Sequence, residues 1–151
     1  MQLESGTFCE WHGNRHLASQ QSADSLTDAL RSLVAILESS FGISAHIIRL
    51  NMYRDGDDFK PFHHDRCIDE FGSPQVTVVA SFGSPRELSF RNAHSIDITS
   101  LIMTNGSVLA FPAGINAEFS HGVQRMGSAC NGSRISLIIW GPKTDTCACQ
   151  G

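Results

Sequence analysis

The spacing of apolar residues changes near residue 46. Upstream, Leu26, Leu30, Leu33, Val34 and Leu37 recur three and four apart, which makes one apolar stripe on an otherwise polar helix. Ser25 stands where an N-cap belongs, Asp28 follows three residues on, and Gly42 comes after the last apolar position as a stop. The spacing predicts one amphipathic helix laid over a sheet. Downstream the apolar residues fall in short runs, predicted as strands over 47–52, 76–82, 87–91, 95–98, 107–111 and 134–140. Gly56, Gly83-Ser84-Pro85, Asn105-Gly106 and Pro112-Ala113-Gly114 punctuate them. Many short strands with Gly and Pro between them read as a β-sandwich or barrel, so the fold is expected to be mainly β with a flanking helix.

A chain of 151 residues without internal repeats fits a single domain over 1–151. Its core is expected at about 46–141, after a short N-terminal segment and before a loose tail. Eleven basic against fifteen acidic residues leave a net charge of −4, so a duplex held by bulk charge is disfavoured and any nucleic-acid contact needs a local patch. No apolar run reaches the roughly 18 residues of a membrane span, and the opening Met1-Gln2-Leu3-Glu4 lacks the pattern of a secretory leader. The cysteines, Cys9, Cys67, Cys130, Cys147 and Cys149, are odd in number and scattered, which suits reduced thiols and an intracellular location.

The chemistry-bearing residues begin at Phe62-His63-His64-Asp65. In an extended segment, residues two apart share a side, so His63 and Asp65 can aim at one point. His121, in Ser120-His121-Gly122, can add a third donor from another strand. Two imidazoles and a carboxylate on one face of an octahedron leave three positions open, the arrangement with which non-haem iron(II) binds a 2-oxo acid and O₂. Taken alone, the triplet reads more readily as a polar turn, since an H-x-D spacing occurs often by chance. Arg134 strengthens the first reading, because it opens an otherwise apolar strand. A guanidinium turned into a barrel needs an anion, and the distal carboxylate of 2-oxoglutarate is a bidentate match. Asn51 and Tyr53 share one strand face shortly before His63, and both can donate hydrogen bonds to a carboxylate.

Taken in order, Asn51-x-Tyr53-x-Asp55-Gly56-x-Asp58, His63-x-Asp65 and Ser81-Phe82-Gly83-x-x-Arg86-x-x-x-Phe90-Arg91 closely resemble the AlkB-type dioxygenases. So do Gly106-Ser107-x-Leu109, His121 and Arg134-x-Ser136-Leu137. The resemblance runs from about Ile47 to Trp140. It implies a double-stranded β-helix, or jelly-roll, core with iron(II) on His63, Asp65 and His121 and 2-oxoglutarate on Asn51, Tyr53 and Arg134. It further implies hydroxylation of an N-alkyl group on a nucleobase, with O₂ consumed, formaldehyde lost from the product, and succinate and carbon dioxide released. The expected partners are 2-oxoglutarate and single-stranded nucleic acid or a nucleotide, with no membrane. Hydroxylation of a protein side chain or small molecule by the same iron chemistry is the alternative.

The chain departs from that family in three places. Trp140 occupies the place of a second arginine six residues after Arg134, and Trp140→Arg is expected to be tolerated. Arg66-Cys67-Ile68 separates the H-x-D triplet from Asp69-Glu70, where the family carries an acid sooner. The segment before Ile47 is short for a lid that grips a flipped base. Arg66, Arg86 and Arg91 are the candidates for phosphate contacts, and His64 is expected to point away from the metal.

Overall fold

The computed structural model describes residues 20–65, 76–129 and 132–144. The readings made for the five cysteines, Arg66 and the Asp69-Glu70 pair fall outside the described residues.

Helix α1 spans Gln20–Phe41, so it starts ahead of Ser25, and Ser25 lies inside the helix rather than at its cap. Nothing between Gln20 and Asp24 breaks a helix, and propensity carries the turn past the local cap signal. The stop is as expected. Gly42 adopts φ +59, and the Ile43 N–H reaches back to the Glu38 carbonyl at 3.1 Å, which closes the C-terminus through a left-handed residue.

Eight strands form two four-stranded antiparallel sheets that face each other as a jelly roll. The first has the order β1 (Ile47–Tyr53), β8 (Arg134–Gly141), β3 (Val76–Gly83) and β6 (Val108–Pro112). The second has the order β2 (Lys60–His63), β7 (Phe119–Val123), β4 (Arg86–Asn92) and β5 (Ile98–Met103). Strict alternation on the first sheet divides its residues between two environments. Val78 and Ala80 of β3, with Leu137 and Ile139 of β8, pack under Val34 and Leu37 of α1. Their neighbours Thr77 and Val79, with Arg134, Ser136, Ile138 and Trp140, turn the other way and line a cleft between the sheets. The central strand β3 is therefore buried on both faces, which accounts for its continuous apolar run. At the far end of the cleft, Tyr53, Leu88, Met103 and Val123 form a second core.

Two predicted elements are corrected, and two strands are added. Residues 95–98 lead into β5 rather than forming a strand. Ser95 Oγ donates to Asp97 Oδ2 at 2.9 Å and Asn92 Oδ1 accepts from the His94 N–H at 2.7 Å, so side chains satisfy this backbone as a turn. Strands β2 and β7 were not predicted as runs, because both are short and carry polar residues toward the cleft. Helix α2, Ala113–Glu118, replaces a predicted turn, with Pro112 at its N-cap.

Gly83 ties β3 to β8 next to Arg134. Its φ is +92, and a Cβ there would lie 2.4 Å from the Ser133 carbonyl oxygen. Gly83→Ala is accordingly expected to lower stability by about 1–3 kcal/mol, read as a fall in the urea midpoint at unchanged slope. An unchanged midpoint would mean that the turn relaxes freely.

Candidate metal centre

His63 closes β2 directly opposite His121 of β7, and residues paired across antiparallel strands place their side chains on one face. The ring centroids lie 4.5 Å apart. The chain then leaves the sheet, and Asp65 comes back over both rings. Its Oδ1 lies 3.5 Å from His63 Nε2 and its Oδ2 3.4 Å from His121 Nε2. One donor atom from each of the three residues falls within 4.8 Å of the others. Donors bound side by side to one divalent ion at about 2.1 Å stand about 3 Å apart, so a small inward shift would place all three on a single cation.

A hydrogen bond directs the His63 ring toward that point, while His121 is held by its place on β7 and by packing against Phe90 and Phe111, its Nδ1 without a partner among the described residues. The Pro61 carbonyl can only accept, so His63 Nδ1 carries the hydrogen across 2.9 Å and leaves Nε2 for the cleft. Burial pushes the His121 pKa down to about 4 against the pull of the Asp65 charge, so this ring is neutral at ordinary pH. Burial also acts to raise the Asp65 pKa, but contacts with the His63 ring and the Trp140 N–H outweigh it and hold the carboxyl ionised. A neutral imidazole nitrogen facing a carboxylate oxygen lacks a positive partner between them, and a divalent cation supplies one. The donor set suits iron(II).

Asp65 is held at both its backbone and its carboxylate. Asn116 of α2 is buried; its Oδ1 accepts from the Asp65 N–H at 2.7 Å and its Nδ2 donates to the Asp65 carbonyl at 2.8 Å. The Asn116 carbonyl accepts from His64 Nδ1 at 2.5 Å, which turns His64 away from the three donors as expected. Trp140 Nε1 donates to Oδ2 at 3.0 Å and Thr77 Oγ1 to the same oxygen at 3.2 Å. Asn116 and Thr77 carried no signal in the sequence. Trp140 carried one that went unused: it shares the parity of Arg134 on β8 and so had to face the cleft with it. Trp140→Arg is no longer expected to be tolerated, since the buried indole is already covered by the Arg49 guanidinium at 5.3 Å, and a second cation would crowd the first.

At the other end of the cleft Arg134 is 1% exposed. Its Nε donates to Ser81 Oγ at 2.8 Å, and its guanidinium lies 5.2 Å over the Tyr53 ring. Among the described residues its Nη1 is buried without a partner. Burial lowers the Arg134 pKa and raises that of Tyr53, which keeps the phenol protonated and able to donate. Asn51 lines the same cleft. The group that would complete this end is an anion.

Arg86 is not a phosphate contact. It is equally buried and donates to the carbonyls of Asp55 at 2.7 Å, Asp58 at 2.7 Å and Gln124 at 2.9 Å, so it pins a loop to the sheet. Arg91 does reach the surface. Its guanidinium lies 4.5 Å over Phe62, beside an open groove that His63, His64 and Asn92 border.

The His121 shift sets a pH dependence for the metal-free protein. The ring binds a proton near pH 6.5 when unfolded but only near 4 when folded, so the unfolded state gains protons first. Its contribution to stability is complete above about pH 6.5 and is lost as the pH falls toward 4. Denaturant midpoints across that window should decline, and His121→Asn should flatten that part of the profile. Asn116→Ala, which strands two backbone groups of Asp65, should cost about 1–3 kcal/mol by the same measurement.

Residues 3–139 match the family model described as the 2OG-Fe(II) oxygenase superfamily. No curated protein matches. Among solved structures, the chain is similar to capsular polysaccharide assembling protein CapF from Staphylococcus aureus, with 12% identity and a TM-score of 0.41 over 66% of this chain and 25% of that one. It is also similar to a cupin-superfamily sugar phosphate isomerase from Silicibacter pomeroyi, with 17% identity and a TM-score of 0.35 over 70% of this chain and 55% of that one. The chain thus spans about a quarter of the CapF chain and about half of the isomerase. The family match takes in nearly the whole chain, with His63, Asp65, His121 and Arg134 inside it. The chain belongs to the 2OG-Fe(II) oxygenase superfamily.

Proposed function

We propose that the chain is an AlkB-like oxidative demethylase of N-alkylated nucleobases in single-stranded nucleic acid or nucleotides. His63, Asp65 and His121 hold the iron, and Asn51, Tyr53 and Arg134 hold 2-oxoglutarate. The observation that carries the reading is the cleft itself, with two imidazoles and a carboxylate at one end and, at the other, a buried guanidinium whose Nη1 has no partner among the described residues. Iron(II) supplies the oxidising chemistry: O₂ and 2-oxoglutarate are consumed, succinate and carbon dioxide leave, and one oxygen atom enters a C–H bond of the substrate.

The chain's own groups bind and orient. Arg134 pairs with the distal carboxylate, and the Tyr53 hydroxyl and Asn51 amide donate along the molecule. Trp140 and Thr77 occupy Oδ2 of Asp65, which leaves Oδ1 the freer oxygen for the metal. A hydroxylated N-methyl group is a hemiaminal and releases formaldehyde by itself, so no further catalytic group is required after oxidation. Two features favour a nucleobase. One is the order of Asn51-x-Tyr53, His63-x-Asp65 and Ser81-Phe82-Gly83 along the chain. The other is the flat Arg91–Phe62 pair bordering the groove at His63, a surface on which a planar base can stack beside a cation.

The test is mass spectrometry of methylated oligonucleotides, nucleosides and peptides incubated with iron(II), ascorbate and 2-oxoglutarate. Loss of the methyl group with formaldehyde release is expected from single strands or nucleotides, and turnover confined to peptides would overturn the demethylase reading. Each of His63→Ala, Asp65→Ala and His121→Ala should abolish stoichiometric iron(II) binding in anaerobic titration. Full binding by the Asp65 variant would remove that residue from the centre. For single strands, Arg91→Gln should reduce the slope of log affinity against log salt by about 0.7, the contribution of one phosphate contact.

A further inference from the structure

Strand β1 turns three side chains into the cleft, and Asn51 and Tyr53 are two of them. The third is Arg49. It stands opposite Ile138 on β8, whereas Tyr53 stands opposite Arg134, so the two arginines belong to different ends of the cleft. Arg134 lies at the closed end. The Arg49 guanidinium lies 5.3 Å over the Trp140 ring, and that same indole donates its N–H to Asp65 Oδ2. The flat ring thus holds a flat cation beside the three metal-binding candidates. The ion pairs found among the described residues do not involve Arg49. Among the described residues Asp65 is the only carboxylate lining the cleft, and its oxygens are already engaged with Trp140, Thr77 and the two histidine rings.

We infer that Arg49 clamps the second carboxylate of 2-oxoglutarate, the one bonded to the keto carbon, and that Trp140 is the platform that presents it. The inference rests on the co-substrate reading above and assigns a residue that reading leaves out. A dicarboxylate lying along the cleft places one charged end at Arg134 and the other at the metal-binding end, where Arg49 is the planar cation. Its fork matches both oxygens of a carboxylate, and stacking restricts the side chain before the ligand arrives. Lys60 also lines the cleft, from β2, but as a point charge it has no such match to a planar group. A cation that the family pattern places on β8 is in this chain supplied by the neighbouring strand, with tryptophan filling the vacated position.

The test uses zinc(II)-loaded protein, calorimetry and two ligands. 2-Oxopentanoate keeps the keto-acid head of 2-oxoglutarate and lacks the distal carboxylate. Arg49→Met should weaken both ligands by about 10-fold or more, the loss of a charged hydrogen-bond pair. Arg134→Met should weaken 2-oxoglutarate alone. Arg49→Lys should recover part of the affinity, which separates charge from folding. The metal-free Arg49→Met protein should unfold at the wild-type temperature, since the side chain is half-buried and lies at the cleft. Three results would overturn the inference: unchanged binding of both ligands by Arg49→Met, loss confined to 2-oxoglutarate, or the two-ligand loss arising from Lys60→Met instead. If the wild-type zinc protein binds neither ligand, the underlying co-substrate reading falls rather than the assignment of Arg49.

Discussion

The Asp65 carboxylate joins two cross-strand pairs on opposite sheets. On one sheet Thr77 of β3 faces Trp140 of β8, and both donate to Oδ2. On the other, His63 of β2 faces His121 of β7, and both rings approach the same carboxylate. A one-residue slip in either ladder would carry one pair to the wrong face. The register of each sheet and their mutual packing are therefore expressed at one group, which is also the group best placed to offset the charge of a metal. A buried carboxylate is costly unless its oxygens are occupied, so the sheets hold the site and the site in turn holds the sheets together. Asn116 adds the remaining restraint by fixing the backbone from which the carboxylate hangs.

Two buried guanidiniums flank Tyr53, Arg86 at 5.4 Å and Arg134 at 5.2 Å, and the contrast between them separates architecture from function. Both terminal nitrogens of Arg86 meet backbone carbonyls and close a loop, and only its Nε lacks a partner among the described residues. Arg134 meets hydroxyl groups, Ser81 and Tyr53, and its terminal Nη1 lacks a partner among the described residues. A cation withdrawn from water without a counter-charge is costly, and removing its partner groups is costlier still. An anion at this end would offset that cost, and the direction of the Arg134 pKa follows from the same burial.

Recognition of the prime substrate lies outside this frame. The cleft is lined from rigid strands, while the groove beside His63 is bordered by Phe62, Arg91 and the turn that follows β4. Strands can hold donor atoms to the fraction of an ångström that metal binding needs, and turns can vary without disturbing them. The cleft with the metal-binding candidates and the open groove beside it are thus built by different parts of the chain.

Much of the site was legible in the amino-acid order because it depends on local parity. His63 and Asp65 lie two apart, Asn51 and Tyr53 lie two apart, and an arginine opening an apolar strand asks for an anion or carbonyls once the strand is buried. Composition and the spacing of turn residues likewise determined a β-rich fold with one covering helix. The elements that escaped, β2, β7 and α2, are short and polar; β2 and β7 take their backbone partners from each other and from β4 of the same sheet, and α2 is tied through the Asn116 side chain to the Asp65 backbone. Arg86 misled as a phosphate contact because a charge in a sequence does not say which carbonyls will surround it. The roles of Asn116, Thr77, Trp140 and Arg49 join residues from four different elements, at separations along the chain that no periodicity encodes. Parity tells which side of a strand a residue faces, and that much the sequence alone determined. What stands on that side is decided only when two sheets close on each other, because the hydrogen bonds at Asp65 require partners that only the completed fold brings within 3 Å or so.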